Sequence, residues 1–204
     1  AKSGPLGGGL ICGIGSIADA ELATLVSGYK RTVASRYRMV VEAEIAKEIP
    51  SGKLLVSPKI DGQLWFLVMD GGEVALVSAT GRAICGDVPV LKEAAAMASR
   101  AQGRTVFAGE LFAIRKGGRP RVGDVSRSLG GGADAEVAKL CFWSFDLVTG
   151  GDSTMPDASL DYQERLDTIG RLLDGGKRVK AMKTDPANTP AEIQAQFDTL
   201  VNSG

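Results

Sequence analysis

The sequence predicts an α+β domain: mostly antiparallel sheets in two layers, with helices packed on them. Three observations carry this expectation. Runs of apolar and β-branched residues at 53–58, 63–70, 73–78, 104–114 and 140–148 are separated by turn-forming Gly, Asp and Pro. Segments at 89–102, 160–174 and 190–201 repeat their apolar residues at helical spacing. Over 204 residues, 44% hydrophobic and 24% charged content is a globular balance with material for a sizeable core.

In order, residues 1–16 are Gly-rich and read as a flexible arm. Residues 17–50 read as an N-terminal helical segment. Asp19 is a candidate N-cap for a helix carrying Leu22, Leu25 and Val26, and a second helix over 33–48 has Val33, Tyr37, Val40, Val41 and Ile45 on one face. Ile49-Pro50-Ser51-Gly52 stops it, and 51–204 forms the main domain. There, Asp70-Gly71-Gly72-Glu73 closes a hairpin between 63–70 and 73–78, and Ser78-Ala79-Thr80-Gly81-Arg82 is a further turn. Helix 89–102 packs Leu91, Ala94, Ala95 and Ala98 on the sheet. After strand 104–114, residues 124–132 end in three glycines and read as mobile, with a short helix over 134–139. Leu140 to Val148 is nearly continuous apolar sequence, suiting a central strand. Helix 160–174 turns Leu160, Leu166, Ile169, Leu172 and Leu173 inward, 178–183 is a short strand, and Thr189-Pro190-Ala191-Glu192 is a capping box opening the last helix.

Several function classes are excluded or weakened by composition. Twenty-four basic residues balance 24 acidic ones, so bulk charge does not make this a nucleic-acid coat, although a local basic groove is compatible with it. No run of about 18 apolar residues is present, so no membrane span is expected. The chain has no histidine, which removes His triads, His general bases and His metal ligands together. Cys12, Cys85 and Cys141 are few and widely spaced, so zinc is not expected and a reducing, cytoplasmic setting is the default.

The chemistry-bearing candidate is Lys59-Ile60-Asp61-Gly62, set between two apolar runs. An ammonium between buried strands loses hydration, which favours the neutral, nucleophilic amine. Gly62 permits a tight turn or a close approach to a ligand. Taken alone, the tetrad reads equally as a strand-to-strand turn. Three further polar residues interrupt apolar context: Arg82 after Gly81, Glu110 in Phe107-Ala108-Gly109-Glu110-Leu111, and Asp146 in Phe145-Asp146-Leu147. Each has a plain structural alternative: a surface arginine, a solvent-facing strand glutamate, a strand-ending aspartate.

In this order the four elements resemble the motif series of the covalent nucleotidyltransferases: ATP-dependent DNA and RNA ligases and mRNA capping enzymes. The resemblance covers roughly 53–204 and implies a nucleotidyltransferase, ATP-grasp-like adenylation fold. It implies Lys59 as the nucleophile that forms a lysyl-AMP, within a nucleotide-binding group of Ile60, Asp61, Gly62, Arg82, Glu110, Phe145 and Asp146. Arg82 would contact ribose or phosphate, Glu110 ribose or a catalytic metal, and the Phe145 ring the purine. ATP and Mg²⁺ or Mn²⁺ are the implied cofactors. The implied partner is nucleic acid bearing 5′-phosphate and 3′-hydroxyl ends.

Two departures shape the expectation. Leu64 stands where DNA ligases usually carry arginine, and Ser57 where a base-reading glutamate is frequent; both tilt towards RNA ligation. The Glu-Gly and Lys-x-Lys motifs that follow in the family are not found by Gly204, and Arg178-Val179-Lys180 lies in the wrong place to replace them. The domain is therefore expected to be incomplete at its C-terminus, drawing on a remainder of the same protein or a partner subunit. Three readings remain: an impaired polynucleotide ligase, with capping guanylyltransferase as its variant; a nucleotidyltransferase-like binding module without catalysis; and an unrelated domain with a coincidental series.

Overall fold

The computed structural model describes residues 3–132, 135–151 and 161–202. Its elements in chain order are β1 (Ser3–Leu6), β2 (Gly8–Cys12), α1 (Ala20–Val33), α2 (Ile45–Glu48), β3 (Leu54–Val56), β4 (Gln63–Asp70), β5 (Glu73–Ser78) and β6 (Ala83–Asp87), then α3 (Pro89–Met97), β7 (Gln102–Ala113), α4 (Val122–Gly130), β8 (Leu140–Gly151), α5 (Tyr162–Leu172), β9 (Val179–Ala181), β10 (Asp185–Ala187) and α6 (Pro190–Asn202). They form two compact units, one of Ala1–Ala34 with Ile60–Ala181, the other of Ser35–Lys59 with Met182–Gly204.

The first unit is built on an eight-stranded sheet in the order β1-β2-β6-β5-β4-β7-β8-β9, antiparallel except for the parallel β8–β9 pair. The β4–β5 hairpin forms as its Asp-Gly-Gly-Glu turn requires, because Gly71 and Gly72 both take positive φ, 58° and 89°. β4 alternates, placing Leu64, Phe66 and Val68 on one face and Gln63, Trp65, Leu67 and Met69 on the other. Helix α1 covers the first face, packing Leu22, Val26 and Tyr29 with Phe66, Val68, Val77, Val106 and Ala108. Asp19 caps it as expected, accepting from Leu22 N at 2.9 Å, and also pairs with Arg104 at 2.7 Å. The Leu22 amide first, and then the guanidinium, hold the Asp19 carboxyl below its ordinary value.

In the second unit, β3 and β10 pair antiparallel, from Leu54 with Ala187 to Val56 with Asp185. Gly52 N donates to Asn188 O at 2.9 Å, and Gln194 reaches Glu42 at 3.2 Å. Thr189 caps α6, its Oγ1 accepting from Glu192 N, while the Glu192 carboxylate accepts from Asn188 N at 2.6 Å, one residue before the position a capping box requires.

Four expectations need correction. Residues 3–12 of the supposed flexible arm are the β1–β2 hairpin, extending the sheet at β6; Gly9 lies so close that a Cβ would meet Cys85 O and Val88 Cγ2 at 2.5 Å. The single helix expected over 33–48 is broken: 37–41 is irregular, with Tyr37 and Met39 70% and 91% exposed, and only Ile45–Glu48, where Ile45 is buried, is α-helical. The 17–50 segment is accordingly split between the two units. Residues 122–130, read in part as mobile, form α4, which buries Val125 and Leu129 one turn apart and is boxed by Asp124. Two strands, β6 and β10, carry Gly86 and Pro186 and so escape a strand pattern. The positions of Leu160 and Asp134 in expected helices lie outside the described residues.

Candidate nucleotide site

Lys59 is the last residue of the second unit's first segment, and one peptide bond carries the chain into Ile60 and the first unit. It is exposed, as is Asp61; Ile60 and Gly62 are half-buried. Lys59 thus differs from the buried amine expected between strands, and β3, which precedes it, is three residues long and only half-buried.

The best-defined contact joins Gly62 to Glu110. Glu110 sits on β7 opposite Leu64, and its carboxylate accepts the Gly62 N–H at 3.0 Å. Only glycine fits there, since a Cβ would overlap the Leu111 carbonyl oxygen and come within 2.9 Å of Glu110 Cγ. Gly62 is therefore fastened to the glutamate by backbone geometry. Leu64, the residue after Gln63, packs on the apolar cluster beneath α1.

Register shows which other candidates share that face. Glu110 pairs with Trp143 on β8, whose ring meets Phe112 edge-on at 5.0 Å and lies 4.1 Å beneath Lys180 Nζ from β9. The Trp143 indole nitrogen is buried and lacks a hydrogen-bond partner among the described residues. The β7–β8 register shifts between Gly109–Ser144 and Ala108–Asp146, making Phe145 the extra residue of a β-bulge. Both Phe145 and Asp146 consequently face α1: Phe145 packs on the apolar cluster, and its carbonyl accepts from Tyr162 OH at 2.9 Å. Asp146, 7% exposed, accepts from Tyr29 OH at 2.8 Å, Arg165 Nε at 2.7 Å and Leu147 N at 2.9 Å. This carboxylate joins α1, β8 and α5.

Arg82 stands apart. Its guanidinium lies 5.7 Å from the Trp65 ring, on the face opposite Leu64 and Glu110. The turn carrying it is held by Ser78, which exchanges backbone bonds with Arg82 and Gly81, and by Ser16 N donating to Gly81 O. The structure thus brings together Gly62 and Glu110, sets Phe145 and Asp146 under α1, and puts Arg82 across the sheet. Trp143 and Lys180 were not selected from sequence as a site pair. A bulge between Trp143 and Phe145 decides which ring lies beside Glu110, and its signal is absent from composition and spacing.

Among the described residues no group of three or more Asp, Glu, His or Cys side chains could hold a metal ion. Glu110 and Asp61 are the carboxylates of the tetrad region. Mg²⁺ is commonly held by one or two carboxylates completed by phosphate oxygens and water, so this donor set fits a metal that arrives with a nucleotide.

No family model matches the chain. Over 180 residues, 82% of its length, it is 30% identical to a probable DNA ligase of Beutenbergia cavernae, covering 34% of that protein. Over 118 residues, 58% of its length, it is 29% identical to the multifunctional non-homologous end joining protein LigD of Mycolicibacterium smegmatis, covering 14% of it. The chain thus spans about a third or less of these curated relatives. The solved structure Pmar-Lig_Pre shares its fold with a TM-score of 0.54 at 14% identity, over 80% of this chain and 39% of that one. The chain is thus similar in sequence to part of a probable DNA ligase and to part of LigD, and it shares the fold of Pmar-Lig_Pre.

Proposed function

We propose that this chain is the adenylating part of an ATP-dependent polynucleotide ligase, with Lys59 as its nucleophile. The observation that carries the reading is the Gly62–Glu110 hydrogen bond, which fixes the glycine of the lysine tetrad against a carboxylate at a position only glycine can occupy. The DNA ligase relatives support it.

The neutral Lys59 amine attacks the α-phosphate of ATP; an N–P bond forms, the α–β P–O bond breaks, pyrophosphate leaves and the amine proton passes to solvent. AMP then moves to a 5′-phosphate end, and a 3′-hydroxyl displaces it to seal the strand. Glu110 accepts from ribose or shares a divalent cation, which when bound would neutralise charge on the phosphates. Asp61 orients Lys59, and the base platform on this face is the Trp143 ring, with Phe145 and Asp146 supporting it from beneath. Arg82, on the other face, is assigned to the polynucleotide and not to the nucleotide. A C-terminal remainder or a partner subunit supplies the lysines that grip the α-phosphate.

Labelled ATP or GTP with Mg²⁺ or Mn²⁺, given to this chain and to a form extended through its C-terminal remainder, tests this, and the extended form decides. A label from ATP that survives denaturation and is lost in Lys59→Ala is expected; a label from GTP alone would make the protein a guanylyltransferase, and no label in any metal would leave a binding module. The polynucleotide is read by sealing nicked duplexes. The relatives' names favour DNA ends, while Leu64 and Ser57 favour RNA, so the strand that is sealed decides between them.

A further inference from the structure

The nucleotide reading leaves unused a cavity of about 530 Å³ at the far end of β7, lined by Ala113, Arg115, Lys116, Arg127, Glu136 and Lys139 among others. We propose that it binds the phosphodiester backbone of the nucleic-acid substrate; this rests on the ligase reading above.

Four cations face two carboxylates here, Asp124 and Glu136, in a chain whose net charge is zero. The carboxylates are already engaged. Asp124 closes the capping box of α4 by accepting from Arg121 N at 3.1 Å, and lies 3.7 Å from Arg115 and 3.5 Å from Arg127. Glu136 holds Lys139 at 2.6 Å. Lys116 has no ion pair among the described residues. The cations are spread around the rim and wet, with the Arg127 side chain 80% exposed and that of Lys139 51%. Spread, solvated cations suit successive backbone phosphates, whereas one small anion would call for a buried, converging pair.

The cavity's position fits the reaction. α4 is tied to the first residue of β4 by Gln63 Nε2 donating to Ser126 Oγ at 3.0 Å, and Gln63 directly follows Gly62. Trp65, which lies under Arg82, donates its indole N–H to the same Gln63 at 3.2 Å. One chain of contacts therefore runs from Arg82 through Trp65 and Gln63 to α4 and its arginine. Ala113 lies three strand residues past Glu110, roughly 10 Å along the strand, and on the opposite face, the one that carries Gln63, Trp65 and Arg82.

The test uses Lys116→Gln/Arg127→Gln, both outside the adenylation machinery. Fluorescence anisotropy with a nicked, 5′-phosphorylated duplex over roughly 50–200 mM salt should show weaker binding. The slope of log K against log salt should fall by about 0.9 for each phosphate that is no longer neutralised, with lysyl-nucleotide labelling unchanged. Lys30→Gln/Arg31→Gln on α1 removes equal charge elsewhere. Equal weakening by that control would mean bulk charge and overturn the proposal. So would a double variant that keeps wild-type affinity and slope, or one that loses only pyrophosphate binding. If labelling is absent in every protein while the double variant still loses the duplex, the enzyme reading fails and the backbone site stands.

Discussion

Asp146 offers the sharpest test of how the nucleotide face is supported. The motif resemblance counts it among nucleotide-binding residues, whereas its carboxylate holds Tyr29 of α1 and Arg165 of α5 and caps its neighbour's amide. Its side chain is 11% exposed and that of Arg165 29%, so the pair is largely screened from water. Asp146→Ala strips the carboxylate from a mostly buried guanidinium and a buried phenol. Removing one partner of such a pair costs about 3–5 kcal/mol. At roughly 2–4 °C per kcal/mol for a chain of this size, the main thermal transition should drop by roughly 6–20 °C. Asp146→Asn, which keeps the shape and one acceptor, should fall less. Differential scanning fluorimetry measures the transition, and label incorporation is scored per folded molecule at a temperature where both variants are native. Labelling of the folded fraction should stay near wild type. An Asp146→Ala protein that melts within about 2 °C of wild type yet loses its label would refute the structural role and return Asp146 to the nucleotide.

Gly62→Ala should destabilise by about 1–3 kcal/mol through overpacking and slow lysyl-nucleotide formation, because the added methyl displaces the Glu110–Leu111 backbone; scanning fluorimetry and a labelling time course would show it. Trp143→Leu removes the ring beneath Lys180 and should raise the nucleotide concentration for half-maximal labelling by several-fold with little change in melting, whereas Phe145→Leu should act mainly on melting. Asp19 has a folded pKa below its unfolded value, so its contribution is present above about pH 4 and is lost as pH falls through the folded value; in acid melts from pH 6 to 3, Asp19→Asn should flatten that part of the profile.

Much of the first unit is legible because local chemistry and tertiary packing agree. Asp70-Gly71-Gly72 can close a two-residue hairpin with positive φ, and the alternation of β4 survives with both faces covered. Asp19 and Thr189 mark helix starts that exist. What stayed hidden depends on distant partners. Gly8 and Gly9 look loose until β6 offers Asp87 and Gly86 against them, and the apolar spacing from Val33 to Ile45 suggests a helix whose middle, from Tyr37 to Val41, stays largely exposed. Among the candidate residues, Gly62 and Glu110, which one hydrogen bond joins, could be selected from spacing. That Arg82 lies across the sheet follows only from the pairing of Trp65 with Ser78, and that Trp143 replaces Phe145 beside Glu110 only from one shifted bond in β8.

The small β3–β10 sheet has a consequence for how the protein folds. Leu54 pairs with Ala187, about 130 residues later, and everything between Ile60 and Ala181 belongs to the other unit. The strand that leads into Lys59 has no hydrogen-bonding partner until Asp185–Ala187 reaches it. Closing so long a loop is entropically slow unless the intervening segment has already collapsed. The large sheet should therefore acquire amide protection first in pulse-labelled refolding, with Leu54 to Val56 protected in the last phase.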